Sequence, residues 1–151
     1  LIMIDWQEML TMHQELNQFA RIMLTKKQKE FLTSSERELL AWLYLENGKC
    51  TPLFLSHTSG MKKEAVSRCL KSLYEKKCIE KVKKSTDERS YSLYLTQTGK
   101  EALKNDFGIM LQKFYDLYRE MGNEFIQLFQ LIAKANNILA DYQKEKKNEI
   151  L

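Results

Sequence analysis

The residues with the strongest chemical character are cations gathered in the middle of the chain. Residues 62–89 hold ten Lys and Arg against five Asp and Glu, a net of +5, whereas the whole chain sums to +4. Everything outside this stretch is therefore near neutral, at −1. A concentrated basic segment suits the neutralisation of phosphates. Lys63, Ser67, Arg68 and Lys71 recur at helical spacing, and Val66, Leu70 and Leu73 occupy the complementary positions. On such a helix Arg68 can grip guanine O6 and N7 with both arms of its guanidinium, while Ser and Lys more often hold phosphate. Lys83, Lys84, Asp87 and Arg89 follow in a second basic group. Charge alone does not separate this pattern from a solvated helix surface.

Other chemistries are poorly served. The sequence has no glycine-rich phosphate loop, no nucleophile elbow and no spaced pair of acids, so an enzyme is not expected. Cys50, Cys69 and Cys78 form no Cys-x-x-Cys, and His13 and His57 form no ligand cluster, so neither a metal nor any other cofactor is expected. An odd number of widely spaced cysteines points to free thiols in a reducing cytoplasm. Arg68 and Lys71 flank Cys69, so a thiol-based redox sensor is one alternative reading. Trp6, His13, Trp42, Phe107 and Phe114 are either core residues or the lining of a mostly apolar cavity.

The elements that must position these residues follow from pattern and composition. Only 5 Gly and 1 Pro in 151 residues favour long helices over a fold of many tight turns. No stretch of about 18 residues is free of charge, so no membrane span is expected. The N-terminus lacks the basic and apolar regions of a signal peptide. Residues 2–24 carry a broad apolar stripe, including Trp6, Met9, Leu16 and Met23, that ends at Lys26–Lys29. Thr33-Ser34-Ser35-Glu36 is a capping box opening a helix that stops at Asn47-Gly48. Thr51-Pro52 opens a short helix that stops before Ser59-Gly60. A third helix runs from Lys62 to Lys77. The period then changes to two, over Ile79–Lys84 and Tyr91–Thr96, giving a hairpin around a polar loop at 85–90. Thr96 caps a further helix, Gly122-Asn123 breaks it, and a last helix frays from Lys144. Gly108 lies inside the helical run after Thr96, where a kink or close packing would account for it.

Leu32-Thr33 with Glu36, then Gly48, Thr51, Val66-Ser67-Arg68, Leu70, Leu73, Lys76-Lys77, Ile79-Glu80, Asp87-x-Arg89 and Leu95-Thr96-x-x-Gly99 occur in order. Over residues 32–100 the sequence resembles the MarR family of winged helix-turn-helix transcription regulators. The resemblance implies a mainly α fold with a small β-hairpin wing. It implies one domain over 1–151: a DNA-binding core at 32–100, and helical dimerisation regions at 1–30 and 101–147. It further implies a homodimer, a repressor on a pseudo-palindromic operator in double-stranded DNA, and release by a small apolar or aromatic effector between core and dimerisation helices. Arg89 would then reach the minor groove, with Asp87 bracing the wing. The family usually has Gly where Cys78 stands, so Cys78 must either adopt a left-handed conformation or the helix must end differently. A helical protein-interaction module without DNA binding is the remaining alternative, and the basic excess of residues 62–89 argues against it.

Overall fold

The computed structural model describes residues 2–24, 31–46, 48, 50–83 and 91–149. The elements run α1 (Trp6–Met23), α2 (Ser34–Leu45), α3 (Pro52–Ser59), α4 (Lys63–Glu75), β1 (Ile79–Lys83), β2 (Tyr91–Leu95), α5 (Gln97–Met121) and α6 (Asn123–Glu149). They fall into two compact units, Leu1–Met110 and Leu111–Leu151.

The first unit is a winged helix-turn-helix. Its core is built from Leu39, Leu40 and Leu43 of α2, Leu55 of α3, Val66, Leu70 and Leu73 of α4, Leu93 of β2 and Leu103 of α5. α2 and α4 take their buried faces from the three- and four-residue spacing of these positions. The capping box expected at Thr33 is present: the Glu36 N–H donates to Thr33 Oγ1 at 3.2 Å, and the Thr33 N–H donates to Glu36 Oε2 at 3.1 Å. Thr51 caps α3 by accepting from the Phe54 N–H at 3.1 Å, with Pro52 at the first helical position. Gly60 ends α3 at φ 71, the left-handed region a glycine enters without a Cβ penalty. The following turn is braced by hydroxyls of α3, with Ser56 Oγ donating to the Met61 carbonyl at 2.8 Å and Ser59 Oγ accepting from the Met61 N–H.

β1 and β2 pair antiparallel, with Ile79 opposite Leu95 and Lys83 opposite Tyr91. Simple alternation fails in both strands. In β1 only Ile79 is buried, and Val82 lies exposed. In β2 both Ser92 and Leu93 are fully buried. The reason is a contact along the outer edge of β2. Its Leu93 N–H donates to the Cys50 carbonyl at 3.0 Å, and Ser92 Oγ donates to the Gly48 carbonyl at 3.4 Å. The wing is thereby tied to the α2–α3 connection.

Element boundaries differ in detail from the pattern-based reading. α1 begins at Trp6 because Asp5 and Glu8 form a capping box of their own. α4 spans Lys63–Glu75 rather than 62–77, and α6 continues to Glu149 instead of fraying at Lys144. The segments Lys26–Lys29 and 85–90 lie outside the described residues.

The second unit comprises the end of α5 and all of α6, separated by Gly122 at φ 60. Phe125 stacks on Phe129 at 4.7 Å between ring centroids, and Phe114 and Tyr118 flank that pair at 5.8 and 5.6 Å. Among the described residues no helix is long and apolar enough to cross a membrane.

Candidate nucleic-acid interface

α4 is divided lengthwise. Val66, Cys69, Leu70 and Leu73 are buried, and Lys63, Ser67, Arg68 and Lys71 are exposed on the other side. The four polar residues expected to form a reading surface therefore do share one solvent-facing surface. Lys83, at the end of β1, is exposed as well. Lys84, Asp87 and Arg89 lie outside the described residues.

The position of α4 is set by a buried carboxylate. Glu36, only 4 % exposed, accepts from Ser72 Oγ of α4 at 2.7 Å and from Nζ of Lys76, the C-cap of α4, at 2.6 Å, while still closing its own capping box. Burial works to raise the Glu36 carboxyl, but hydrogen bonds from Lys76, Ser72 and the Thr33 N–H outweigh it and leave the pKa below the usual carboxylate value. Lys76 also donates to the Phe31 carbonyl at 2.7 Å and lies over the Phe31 ring. It is committed to the fold. Lys81 is exposed but lies over two rings, its ammonium 5.4 Å from the Tyr74 ring centroid and 4.8 Å from that of Tyr91. The sequence pattern counted both as part of one basic stretch, with nothing to separate them from the outward-facing cations. Glu36 was legible as a cap, but its reach to α4, 36 residues away, was not.

The exit of α4 answers the question raised by Cys78. Lys77, not Cys78, takes the left-handed conformation, at φ 59. The Lys77 N–H donates to the Tyr74 carbonyl and the Cys78 N–H to the Leu73 carbonyl, both at 2.9 Å. This is the paired hydrogen-bond pattern of a Schellman ending, shifted one residue ahead of Cys78. Cys78 is instead fully buried.

All three thiols are buried. Burial pushes Cys50 up to about 11, with Glu46 adding to it. Burial also pushes Cys69 up to about 11, Glu36 adding and Lys76 opposing. Cys78 is raised by burial against the pull of Lys76. The cations beside Cys69 in sequence do not make it a thiolate. Among the described residues no group of three or more His, Cys, Asp or Glu could hold a metal ion.

The five aromatic and histidine candidates are distributed. Trp42 and Phe107 pack partly buried against the core of the first unit. Trp6 and His13 are exposed on α1, His13 sharing a 3.3 Å hydrogen bond with Asn17. Phe114 belongs to the aromatic group of the second unit. Two clefts in the first unit have other linings. One, of about 270 Å³, lies between the start of α2 and α4, at Ser35, Glu36, Arg68, Cys69 and Ser72. The other, of about 360 Å³, is lined by Pro52, Leu53, Lys63 and Ser67.

Comparison with known proteins follows the same lines. The chain is similar over 91 % of its length to the crystal structure of a MarR/EmrR family transcriptional regulator from Acinetobacter sp. ADP1, with 28 % identity, a TM-score of 0.67 and 99 % of that chain covered. A MarR family transcription regulator of known structure gives the same TM-score of 0.67 at 20 % identity, over 93 % of each chain. The MepR–DNA complex of S. aureus shares the fold at 18 % identity and a TM-score of 0.56, covering 91 % of this chain and 96 % of that one. No curated protein matches. The family model described as transcriptional regulator SarA/Rot matches residues 21–106, more than half of the sequence, a range that includes the capping box at Thr33, α4 and both strands. The chain belongs to the SarA/Rot family of transcriptional regulators.

Proposed function

We propose that the protein binds double-stranded DNA as a homodimer and represses transcription from a pseudo-palindromic operator. The observation that carries this reading is the outer face of α4. Lys63, Ser67, Arg68 and Lys71 stand exposed there, opposite a buried apolar face. In a helix-turn-helix, this is the helix that enters the major groove. Arg68 is assigned to a base edge, and Lys63, Ser67 and Lys71 to phosphates or bases beside it. Lys83, exposed at the end of β1, is assigned to the DNA backbone; Lys84, Asp87 and Arg89, outside the described residues, are assigned to DNA contact on the family resemblance alone, Arg89 to the minor groove. The fold relative MepR is known in complex with DNA.

The dimer reading rests on apolar surface. On α1, Trp6 is 79 % and Leu16 62 % exposed; on α6, Leu131 is 64 % and Leu139 59 % exposed. α6 has no buried residue among the 27 it contains. Apolar faces of this breadth call for a covering partner, and a second copy is the simplest one. The homodimer would be held by residues 1–30 and 101–147, and would present its α4 helices to half-sites roughly 34–36 Å apart. A small apolar or aromatic effector is proposed, with Trp42 and Phe107, which pack against the core of the first unit, as its candidate contacts there; Trp6, His13 and Phe114 stay candidates on the resemblance alone. Bound there, it would favour an arrangement of the dimer that misaligns the two half-sites.

The deciding experiment is a mobility-shift titration on random duplex at low salt, followed by selection of an operator from random DNA. A shift on random duplex and a palindromic selected sequence are expected. Absence of any shift would favour the protein-interaction alternative.

A further inference from the structure

Leu53 is the exposed leucine of α3 and lines a groove with α4. α3 already buries Leu55 in the core and half-buries Phe54, yet Leu53 stands 54 % exposed at the first turn. Beside it, Pro52 and Leu53 from α3 face Lys63 and Ser67 from α4 across an open groove of about 360 Å³. Lys63 and Ser67 are one helical turn apart, so they line one side of the groove together. Ser67 is a short polar side chain, and Lys63 adds a positive charge to the lining.

We infer that this groove is a thymine-reading slot, in which Leu53 and Pro52 take the 5-methyl group of one thymine per half-site. The inference rests on the DNA-binding reading above and adds a specificity determinant to it. The chemistry narrows the occupant. If α4 lies in the major groove, the groove between α3 and α4 opens on the same base edges and phosphates. The thymine 5-methyl is the one alkyl group that those base edges present. An apolar wall next to a lysine matches a methyl group next to a phosphate. A phosphate alone would satisfy Lys63 but would leave Leu53 and Pro52 facing a charge.

The test uses the full chain and its selected operator. Each thymine is replaced in turn by deoxyuridine, which removes only the methyl group. For the wild type, one symmetry-related pair of positions should lose about fourfold in affinity per half-site, the size of one buried methyl. In Leu53→Ala the same replacement should cost nothing further, while binding to random duplex at low salt stays at the wild-type level. A wild type indifferent to every deoxyuridine overturns the inference without any variant. A loss that persists undiminished in Leu53→Ala overturns it too, since the methyl would then be read elsewhere. Failure of the wild type to shift random duplex would bring down the DNA-binding reading itself, and this inference with it.

Discussion

Gly99, in the first turn of α5, lies against the carbonyl of Cys78, just beyond α4, so closely that a Cβ on Gly99 would fall 2.1 Å from that oxygen. Thr96 stitches the same two strands of backbone together. Its N–H donates to the Cys78 carbonyl at 3.0 Å, and its hydroxyl donates to the Lys77 carbonyl at 2.6 Å while accepting from the Gly99 N–H at 3.1 Å. The hairpin leaves and returns through this junction. The Leu-Thr-x-x-Gly run is thus a clamp that fixes the wing relative to α4, the helix assigned to the major groove.

A methyl group at position 99 has nowhere to go, because what it meets is backbone. Gly99→Ala should destabilise the protein by about 3 kcal/mol in urea unfolding. A loss below about 1 kcal/mol would mean that α5 slides away from Cys78 at little cost.

The other side of the same junction offers a gain. Lys77 adopts φ 59 with a side chain exposed to solvent. A left-handed conformation costs a residue with a Cβ roughly 1 kcal/mol, and glycine avoids it. Lys77→Gly should therefore raise the stability by about 1 kcal/mol, read as a higher Tm.

These residues also mark how far the sequence could be read. The caps at Thr33, Thr51 and Thr96 were legible because a cap is local: donor and acceptor lie within three residues. The divided face of α4 was legible because its period of 3.6 is written in Val66, Leu70 and Leu73. Asp5 and Glu8 carry the same local signal and could have been found by it. What could not be read is non-local. Nothing near Glu36 announces Ser72 or Lys76, and nothing near Ser92 announces the Gly48 carbonyl that buries it. A left-handed ending was expected in question at Cys78 and is met at Lys77, because the choice depends on which residue the core claims, and the core claims Cys78. Gly108 remains without a structural account: it is helical, exposed and has open space where a Cβ would be.

The buried carboxylate predicts a pH dependence of definite sign. Glu36 has a folded pKa below its unfolded value. Its contribution is complete above the unfolded value of about 4.3 and is lost as pH falls through the folded one. Lys76 keeps a side chain 26 % exposed, so Glu36→Gln should cost about 2 kcal/mol at neutral pH, less than breaking a fully buried pair. The difference between wild type and variant should hold constant from neutrality to about pH 5 and shrink below about pH 4. A difference that grows on acidification would contradict the assignment.

The thiols separate effector control from redox control. With Cys50 and Cys69 near about 11, only about one thiol in a thousand is ionised at pH 8, and each is shielded by the core. Iodoacetamide should label the native protein at least about 100-fold more slowly than the urea-unfolded chain. Peroxide should leave DNA binding intact. If the wild type releases DNA on peroxide treatment and a variant with Cys50, Cys69 and Cys78 replaced by Ala does not, regulation is oxidative and the effector reading loses.

Lys71 and Lys76 give the sharpest check on which cations face DNA, because they lie on one helix and its cap but point to different partners. Lys71 is exposed on the outer face of α4, whereas Lys76 is bound to Glu36 and the Phe31 carbonyl. Each phosphate contact contributes about −0.9 to the slope of log K against log salt. If half of the twelve positions supplied by two copies of Lys63, Arg68, Lys71, Lys83, Lys84 and Arg89 meet phosphates, the wild-type slope is about −5. Lys71→Gln removes one contact per protomer and should flatten that slope by roughly 1.8, with the Tm unchanged. Lys76→Gln should do the reverse, lowering the Tm through the orphaned Glu36 and leaving the slope within about 0.5 of the wild type. Both variants remove one positive charge from the same basic stretch of the sequence, so a general effect of net charge would shift the two slopes equally. An equal shift would show that binding follows bulk charge rather than the exposed face of α4.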